Sequence, residues 1–500
     1  MGSPNQTSGA EHAPGTAHSR ETPEVSPSVH VSASQPGQDQ HHAAVAASLL
    51  SARLDRLPAT RTIWRFVVLL SLGFFFEMYD LLFTGYIAPG IVKSGILSAT
   101  TPGLFGNNGV AGFIAALFSG LFIGTIACGF LADRFGRRAV FTGSLLWYSV
   151  ANVVMAFQDT ALGLNLWRFI AGIGIGVELV TIGTYIAELV PKQIRGRAFA
   201  CEQAIGFVAV PCAAILTYLL SEVHFLGLEG WRWVVLIGAH GAMFIWWIRR
   251  QLPESPRWLA LKGRTAEAER IVADLETRVA SEYGKPLPPP LAPEPVGERK
   301  RFRDILQGVY RKRTTMLVLC NVFQTVGYFG FANWLPTLLI SHGVTVTRSL
   351  AYSSIIAVAA PIGPMIGLWM GDRFERKSMI VFMAGAIMVC GLLFSQVTGS
   401  VPLIVTGVLI TLACNMMSFN LHAYQTELYP TAIRAQAVGF VYSWSRFSAI
   451  FTAFAISAIL HGFGVVGVFA FIAAAMLIVM LVIGLMGPRT RDIALEKISH

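Results

Sequence analysis

Along most of this chain, runs of about twenty apolar residues alternate with short charged segments. A helix of that length crosses roughly 30 Å of hydrocarbon, and backbone left unpaired in lipid is too costly to persist, so each run predicts a transmembrane helix. Twelve are expected, at 63–89, 109–131, 139–157, 161–187, 200–221, 231–250, 314–340, 351–371, 378–397, 401–424, 436–459 and 464–486. Two stretches break the pattern. Residues 1–42 are rich in Ser, Pro, Gly, Gln and His and predict disorder. After them, Leu49, Leu50, Leu54 and Leu57 line one side of a short helix stopped by Pro58, expected to lie along the inner membrane surface. Residues 251–313 hold a short helical pattern and a Pro-rich run, with too little apolar content for a domain. The expected organisation is a disordered tail with a short amphipathic helix (1–60), a six-helix bundle (61–250), a cytoplasmic linker (251–313), a second six-helix bundle (314–487) and a cytoplasmic tail (488–500).

Two charged motifs recur at one spacing. Asp133-Arg134-Phe135-Gly136-Arg137-Arg138 returns as Asp372-Arg373-Phe374-Glu375-Arg376-Lys377, and Glu188-Leu189-Val190-Pro191 returns as Glu427-Leu428-Tyr429-Pro430. Both copies lie 239 residues apart (372 minus 133, 427 minus 188). A chain of twelve apolar helices with this internal repeat is a duplicated membrane unit, an architecture used to move solutes.

Composition agrees, with 54% hydrophobic and 13% charged residues, against about 25% charged in an ordinary soluble domain. The formal charge of +10 is topological: Arg and Lys crowd the connections at 133–138, 188–199, 372–377 and 425–435, which places them and both termini in the cytoplasm. Nucleic-acid binding is not expected. The six cysteines fall within the apolar runs and form no CxxC pair, so neither disulfides nor a metal site is expected.

Gly129 through Arg138, reading G-F-L-A-D-R-F-G-R-R, resembles the loop signature of the major facilitator superfamily. Trp167-Arg168-Phe169-Ile170-Ala171-Gly172, leading into Gly174 and Gly176, is similar to its fourth-helix motif, and Pro253-Glu254-Ser255-Pro256-Arg257-Trp258-Leu259 to the segment after helix six of sugar porters. Within the superfamily, Glu77-Met78-Tyr79-Asp80 with Gly85 and Pro89 resembles aromatic-acid:proton symporters. Gly172-x-Gly174-x-Gly176-x-Glu178 resembles niacin-transporter-like metabolite carriers. The resemblance implies an all-α membrane protein of two pseudo-symmetric six-helix bundles. It also implies a cytoplasmic gating role for Asp133, Arg137, Glu188 and Arg195, repeated by Asp372, Arg376, Glu427 and Arg434.

Ionisable residues inside apolar runs are costly and so tend to line cavities or pair. Glu77 and Asp80, three apart, share a face of the first helix. Two neighbouring carboxylates resist joint ionisation, the behaviour a proton-coupled carrier needs. Arg168 would pair with Asp80 and release it on protonation, or hold a substrate carboxylate, and Glu178 stands nearly three turns further along. Gln203, Gln324, Asn415 and Arg446 are the expected substrate contacts, with Glu202 beside Gln203. His240 could titrate near neutral pH.

These residues point to a secondary active transporter of a small organic acid, working as a monomer in a bacterial inner membrane. Its energy source would be the proton gradient, and it would need no cofactor. Proton-driven efflux of drug-like compounds, a sugar or polyol porter and a transport-dead sensor are the alternatives. No G-x-x-x-x-G-K-[ST] loop occurs, which argues against ATP-driven pumping, and no nucleophile–base pair suggests an enzyme.

Overall fold

The computed structural model describes residues 2, 36–98, 101, 109–249, 252–290, 305–371, 374–429 and 433–490. Helix α1 (Pro36–Asp55) precedes six helices of the first half: α2 (Arg61–Lys93), α3 (Gly109–Phe135), α4 (Arg137–Ala156), α5 (Ala161–Leu189), α6 (Arg195–Leu220) and α7 (Gly230–Arg249). A two-stranded hairpin, β1 (His224–Phe225) with β2 (Leu228–Glu229), joins the last two. Short helices α8 (Pro256–Leu261) and α9 (Thr265–Tyr283) follow.

The second half contains α10 (Gly308–Ala332), α11 (Leu335–Ser341), α12 (Val346–Ala357), α13 (Ala359–Gly371), α14 (Arg376–Gln396), α15 (Ser400–Glu427) and α16 (Arg434–Met486). Helices α10 and α11 form one crossing, broken where Asn333 and Trp334 cap the two pieces. Helices α12 and α13 form the next. At 53 residues α16 is far longer than one crossing requires. It is two crossings joined at Gly464, whose φ of 64° and ψ of −163° only glycine adopts freely. Twelve transmembrane helices in two bundles result. The 239-residue offset carries α4, α5 and the start of α6 (137–156, 161–189, 195) onto 376–395, 400–428 and 434, the observed bounds of α14, α15 and α16 to within a residue.

Within the first half, α3 and α5 approach until backbones touch. A Cβ on Gly172 would lie 2.4 Å from the Leu117 carbonyl oxygen, and one on Gly176 would lie 2.3 Å from that of Leu121. This is the small-residue packing that membrane helices use in place of a hydrophobic driving force. Between the halves, α3 packs along α16, α6 along α12 and α13, and α2 against α11. At the end opposite the repeated charged loops, Glu222 accepts hydrogen bonds from Lys93 of its own half (3.0 Å) and Thr347 of the other (3.1 Å).

Most of the leucine stripe expected on the membrane surface faces protein. Leu50, Leu54 and Leu57 are buried and Leu49 is exposed, and α1 packs on α8 and α9. The docking is also ionic. Arg53 donates to both oxygens of Glu276 (3.2 and 2.6 Å), and Arg56 donates to the same carboxylate at 2.7 Å. Burial disfavours the charged form of Glu276, but the hydrogen bonds and charges of the two arginines outweigh it and hold its carboxyl below the usual range.

Candidate functional site

The charges expected inside the membrane fall into two groups. In the first half, Asp80 of α2 and Arg168 of α5 pair at 3.1 Å, with side chains 3% and 0% exposed. A bare ion pair at this depth recovers little of its desolvation cost unless its remaining hydrogen-bonding capacity is filled, and here both terminal nitrogens of Arg168 are bonded, while its Nε has no hydrogen-bond partner. Arg168 Nη1 reaches both Asp80 oxygens (3.1 and 3.2 Å) and the amide oxygen of Asn152 on α4 (3.3 Å). Its Nη2 donates to the Asp80 backbone oxygen at 2.6 Å and to Thr84. The guanidinium also lies 4.7 Å from the Phe83 ring centroid and 5.8 Å from that of Phe113. Asn152 closes the ring by donating its amide to Asp80 at 2.7 Å.

Sequence reasoning missed Asn152 and Thr84, since an amide or hydroxyl on a crossing helix carries no signal of its partner. Three neutral acceptors (the Asp80 carbonyl, Thr84 and Asn152) hold the Arg168 guanidinium beside the Asp80 carboxylate. Glu77, expected beside Asp80 as a second carboxylate, is fully buried one turn away on the same helix. The direct partners of the Asp80 carboxylate are an arginine and an amide. Glu178 is fully buried on α5.

The second group lies between the halves. Arg446 of α16 is 2% exposed. It donates to the Tyr442 hydroxyl at 2.7 Å, with its guanidinium 4.9 Å from the Tyr442 ring centroid and 5.4 Å from that of Phe329. Among the described residues no carboxylate forms an ion pair with it, and its Nε has no hydrogen-bond partner. His422 stacks edge-on against Tyr442 at 4.8 Å. Asn415 accepts from Tyr328 at 3.4 Å and lines, with Tyr328, Tyr86 and Leu82, a small cavity of about 30 Å³. Gln324 is buried on α10, and Gln203 is half-buried on α6, bonded to Glu202. His240 is bonded to the Leu236 carbonyl of its own helix.

At the charged end, Arg137 pairs with Glu188 at 3.5 Å and donates to the Ala132 carbonyl at 2.7 Å. Its counterpart pairs too, Arg376 with Glu427 at 2.5 Å. Arg195 bonds the Val190 carbonyl and Asp55, the last residue of α1. Asp55 also accepts from the Lys192 backbone at 2.9 Å. Asp372 and the side chains of Asp133 and Arg434 lie outside the described residues.

The departure at Glu375 has a structural counterpart. In the first half the turn glycine, Gly136, leaves room for Glu254, whose carboxylate accepts the backbone N–H groups of Arg137 (2.9 Å) and Arg138 (3.1 Å). In the second half Glu375 occupies the turn and accepts the backbone N–H of Thr490 at 3.0 Å. Tyr185 donates to the Pro253 carbonyl and Tyr424, 239 residues on, to that of Pro488. The two halves tie the same segments together with the carboxylate on opposite strands of the contact.

Two helical bundles around a buried polar interface define a membrane carrier, and comparison with known proteins supports that class. The model of the sugar (and other) transporter family matches residues 66–500. The chain is 32% identical over 441 residues to a putative metabolite transport protein of Bacillus subtilis (strain 168), covering 88% of this chain and 95% of that one. It is 29% identical to a niacin transporter of Acinetobacter baylyi, covering 90% and 99%. Among solved structures, a D-xylose–proton symporter superposes with a TM-score of 0.67 at 18% identity, over 86% of this chain and 99% of that one, a likeness of fold. The chain belongs to the sugar (and other) transporter family of the major facilitator superfamily. It is a multi-pass membrane transporter of metabolites and not an enzyme.

Proposed function

We propose that the protein is a proton-coupled symporter of a small organic acid, with its charged end facing the cytoplasm of a bacterial inner membrane. The observation that carries the reading is Arg446, a buried cation with no carboxylate partner among the described residues, at the interface of the two halves. Leaving such a charge without a counter-ion at membrane depth costs several kcal/mol. An anionic cargo supplies the missing charge, and a guanidinium binds a carboxylate through two parallel bonds. Asn415, Gln324 and Gln203 are the polar groups placed to contact the rest of it. The niacin transporter among the relatives makes a ring-bearing carboxylic acid a reasonable cargo to try first.

The proton site is the ring of Asp80, Arg168, Asn152 and Thr84. Protonation cancels the Asp80 charge while Arg168 keeps its neutral acceptors, so the change stays local until α2 moves. In this reading α2, which packs against α11 of the other half, carries that movement to the interface. Proteoliposomes carrying a pH-sensitive dye test the reading: benzoate-type acids, nicotinate, dicarboxylates and sugars are added singly under an inward proton gradient, with protein-free liposomes as the control. Protein-dependent acidification with a carboxylic acid is expected. Acidification with sugars alone, or proton movement opposite to the cargo, contradicts it.

A further inference from the structure

The largest groove of the molecule lies away from the interface between the halves. It runs along α14 and the last part of α16 and holds about 730 Å³. Helix α14 packs against α15 and α16 of its own half. Phe382 and Val389, on the rim of the groove, are 68% and 52% exposed. An exposed apolar face on a membrane-spanning helix is the outer wall of the bundle, and lipid is what it meets.

The groove has a closed end and a charged end. Just beyond Val389 the two helices touch: a Cβ on Gly391 would lie 2.9 Å from the Phe469 ring. Toward the charged loops the packing opens. A Cβ on Gly385 would meet only Met480, at 3.6 Å, and one on Gly484 only Val381, at 4.0 Å, both ordinary contacts. Glycine weakens a helix relative to alanine. No close approach of protein requires it at these two positions, and its effect is to keep the groove open. At the charged end the lining turns polar, with Ser378 and Lys377. Among the described residues Lys377 forms no ion pair, whereas its neighbour Arg376 is held by Glu427. The bond from the Thr490 N–H to Glu375 brings exposed Arg489 to the same corner. From Lys377 to Val389 the helix rises about 18 Å, close to the depth of one leaflet in a bilayer whose hydrocarbon core is roughly 30 Å thick.

We propose that this groove binds one anionic phospholipid from the leaflet at the charged end, with an acyl chain along Gly385 and Gly484 and the phosphate at Lys377. The length suits a single chain that enters from one leaflet and stops where Gly391 meets Phe469. A basic group at the mouth of an apolar groove between crossing helices favours an anionic headgroup over a zwitterionic one. The site stands on the outer wall of the second bundle, apart from the Asp80 and Arg446 groups, so the proposal does not depend on the symport reading.

Native mass spectrometry of the full-length protein in detergent tests this, with phosphatidylglycerol or phosphatidylcholine of the same chains titrated in. The wild-type protein is expected to hold one phosphatidylglycerol about fivefold more tightly than phosphatidylcholine, which is ~1 kcal/mol. K377Q is expected to bring the two lipids level. G385F fills the groove from α14 and G484F from α16, and each is expected to weaken both lipids by at least that factor. G143F, on α4, where a Cβ would stand in open space, is expected to leave binding unchanged. Two filling variants keep the test decisive if one of them fails to fold. Equal binding of the two lipids by the wild type overturns the proposal, as does an unchanged preference in K377Q. Undiminished lipid binding in the filled variants overturns the groove as the site. A wild-type dimer that G385F or G484F converts to monomer also overturns it, by giving the groove to a second copy of the chain.

Discussion

At the residue scale, Asp80 shows how much of a site lies in its partners. Glu77 and Asp80 sit one turn apart on α2, and spacing alone made them a coupled pair. The structure adds Arg168 and Asn152 as direct partners of Asp80, with Glu77 buried on the same helix. Charges were legible because a carboxylate or guanidinium stands out in an apolar run. Their partners were not, because Asn152 and Thr84 resemble the many amides and hydroxyls that merely bond their own helix, as Asn321 does with Leu317. Asn152 touches both members of the pair, which makes it the sharpest residue-level test. N152A removes one donor to Asp80 and one acceptor for Arg168, bonds to charged groups worth about 1.5–3 kcal/mol each. The expected outcome is a severalfold fall in proton-driven accumulation with cargo exchange largely kept, read by radiolabel uptake with and without a pH gradient. Equal loss of both activities would reduce Asn152 to a packing role.

At the element scale, apolar periodicity placed the helices well, and the 239-residue repeat located their pseudo-symmetric partners. The break at Gly464 falls between the two crossings expected at 436–459 and 464–486, where His461 and Gly462 interrupt the apolar run. The division at Asn333 and Trp334 was less visible, since it lies within one apolar run, where α11 packs against α2. Helix α1 shows the limit of an amphipathic pattern: a leucine stripe reads alike whether lipid or protein covers it, and here α8 and α9 cover most of it. Two predictions belong at this level. G176L puts a side chain where even a Cβ meets the Leu121 carbonyl at 2.3 Å. Overpacking of this kind costs about 1–3 kcal/mol or more, and a lower melting temperature in detergent is expected while G183L, in open space on the same helix, changes little. For α1, the sign follows from Glu276. Its carboxyl is held below the ordinary range in the docked state, so the anchor's contribution is present above the ordinary carboxylate pKa and lost as pH falls through the lowered value. Intrinsic-rate-corrected amide exchange over 45–57 is expected to quicken in E276Q at neutral pH, and in the wild type only at pH below the ordinary glutamate range.

At the scale of the whole molecule, the two bundles meet through a buried polar interface, an aromatic lining and, at one end, the Glu222 link from Lys93 to Thr347. At the other end each half carries its own arginine–glutamate pair, Arg137–Glu188 and Arg376–Glu427, neither of which crosses between halves. Under the proposed function, rocking of one bundle against the other would strain the Glu222 link, the one of these three contacts that joins the halves. Asp55 and Glu276 fasten α1, α9 and the loop after α5 together, all within the first half, so that half moves with its appended helices as one body. The proposed proton site at Asp80 and the proposed anion site at Arg446 lie on opposite halves, so the proposal couples them through the interface between the bundles. The most direct test is transport by D80N in proteoliposomes, with wild-type protein beside it and the cargo found in the dye assay. The account predicts that D80N keeps exchange of cargo across the membrane and loses accumulation driven by an imposed proton gradient. Undiminished accumulation in D80N would remove Asp80 from the coupling and contradict the account.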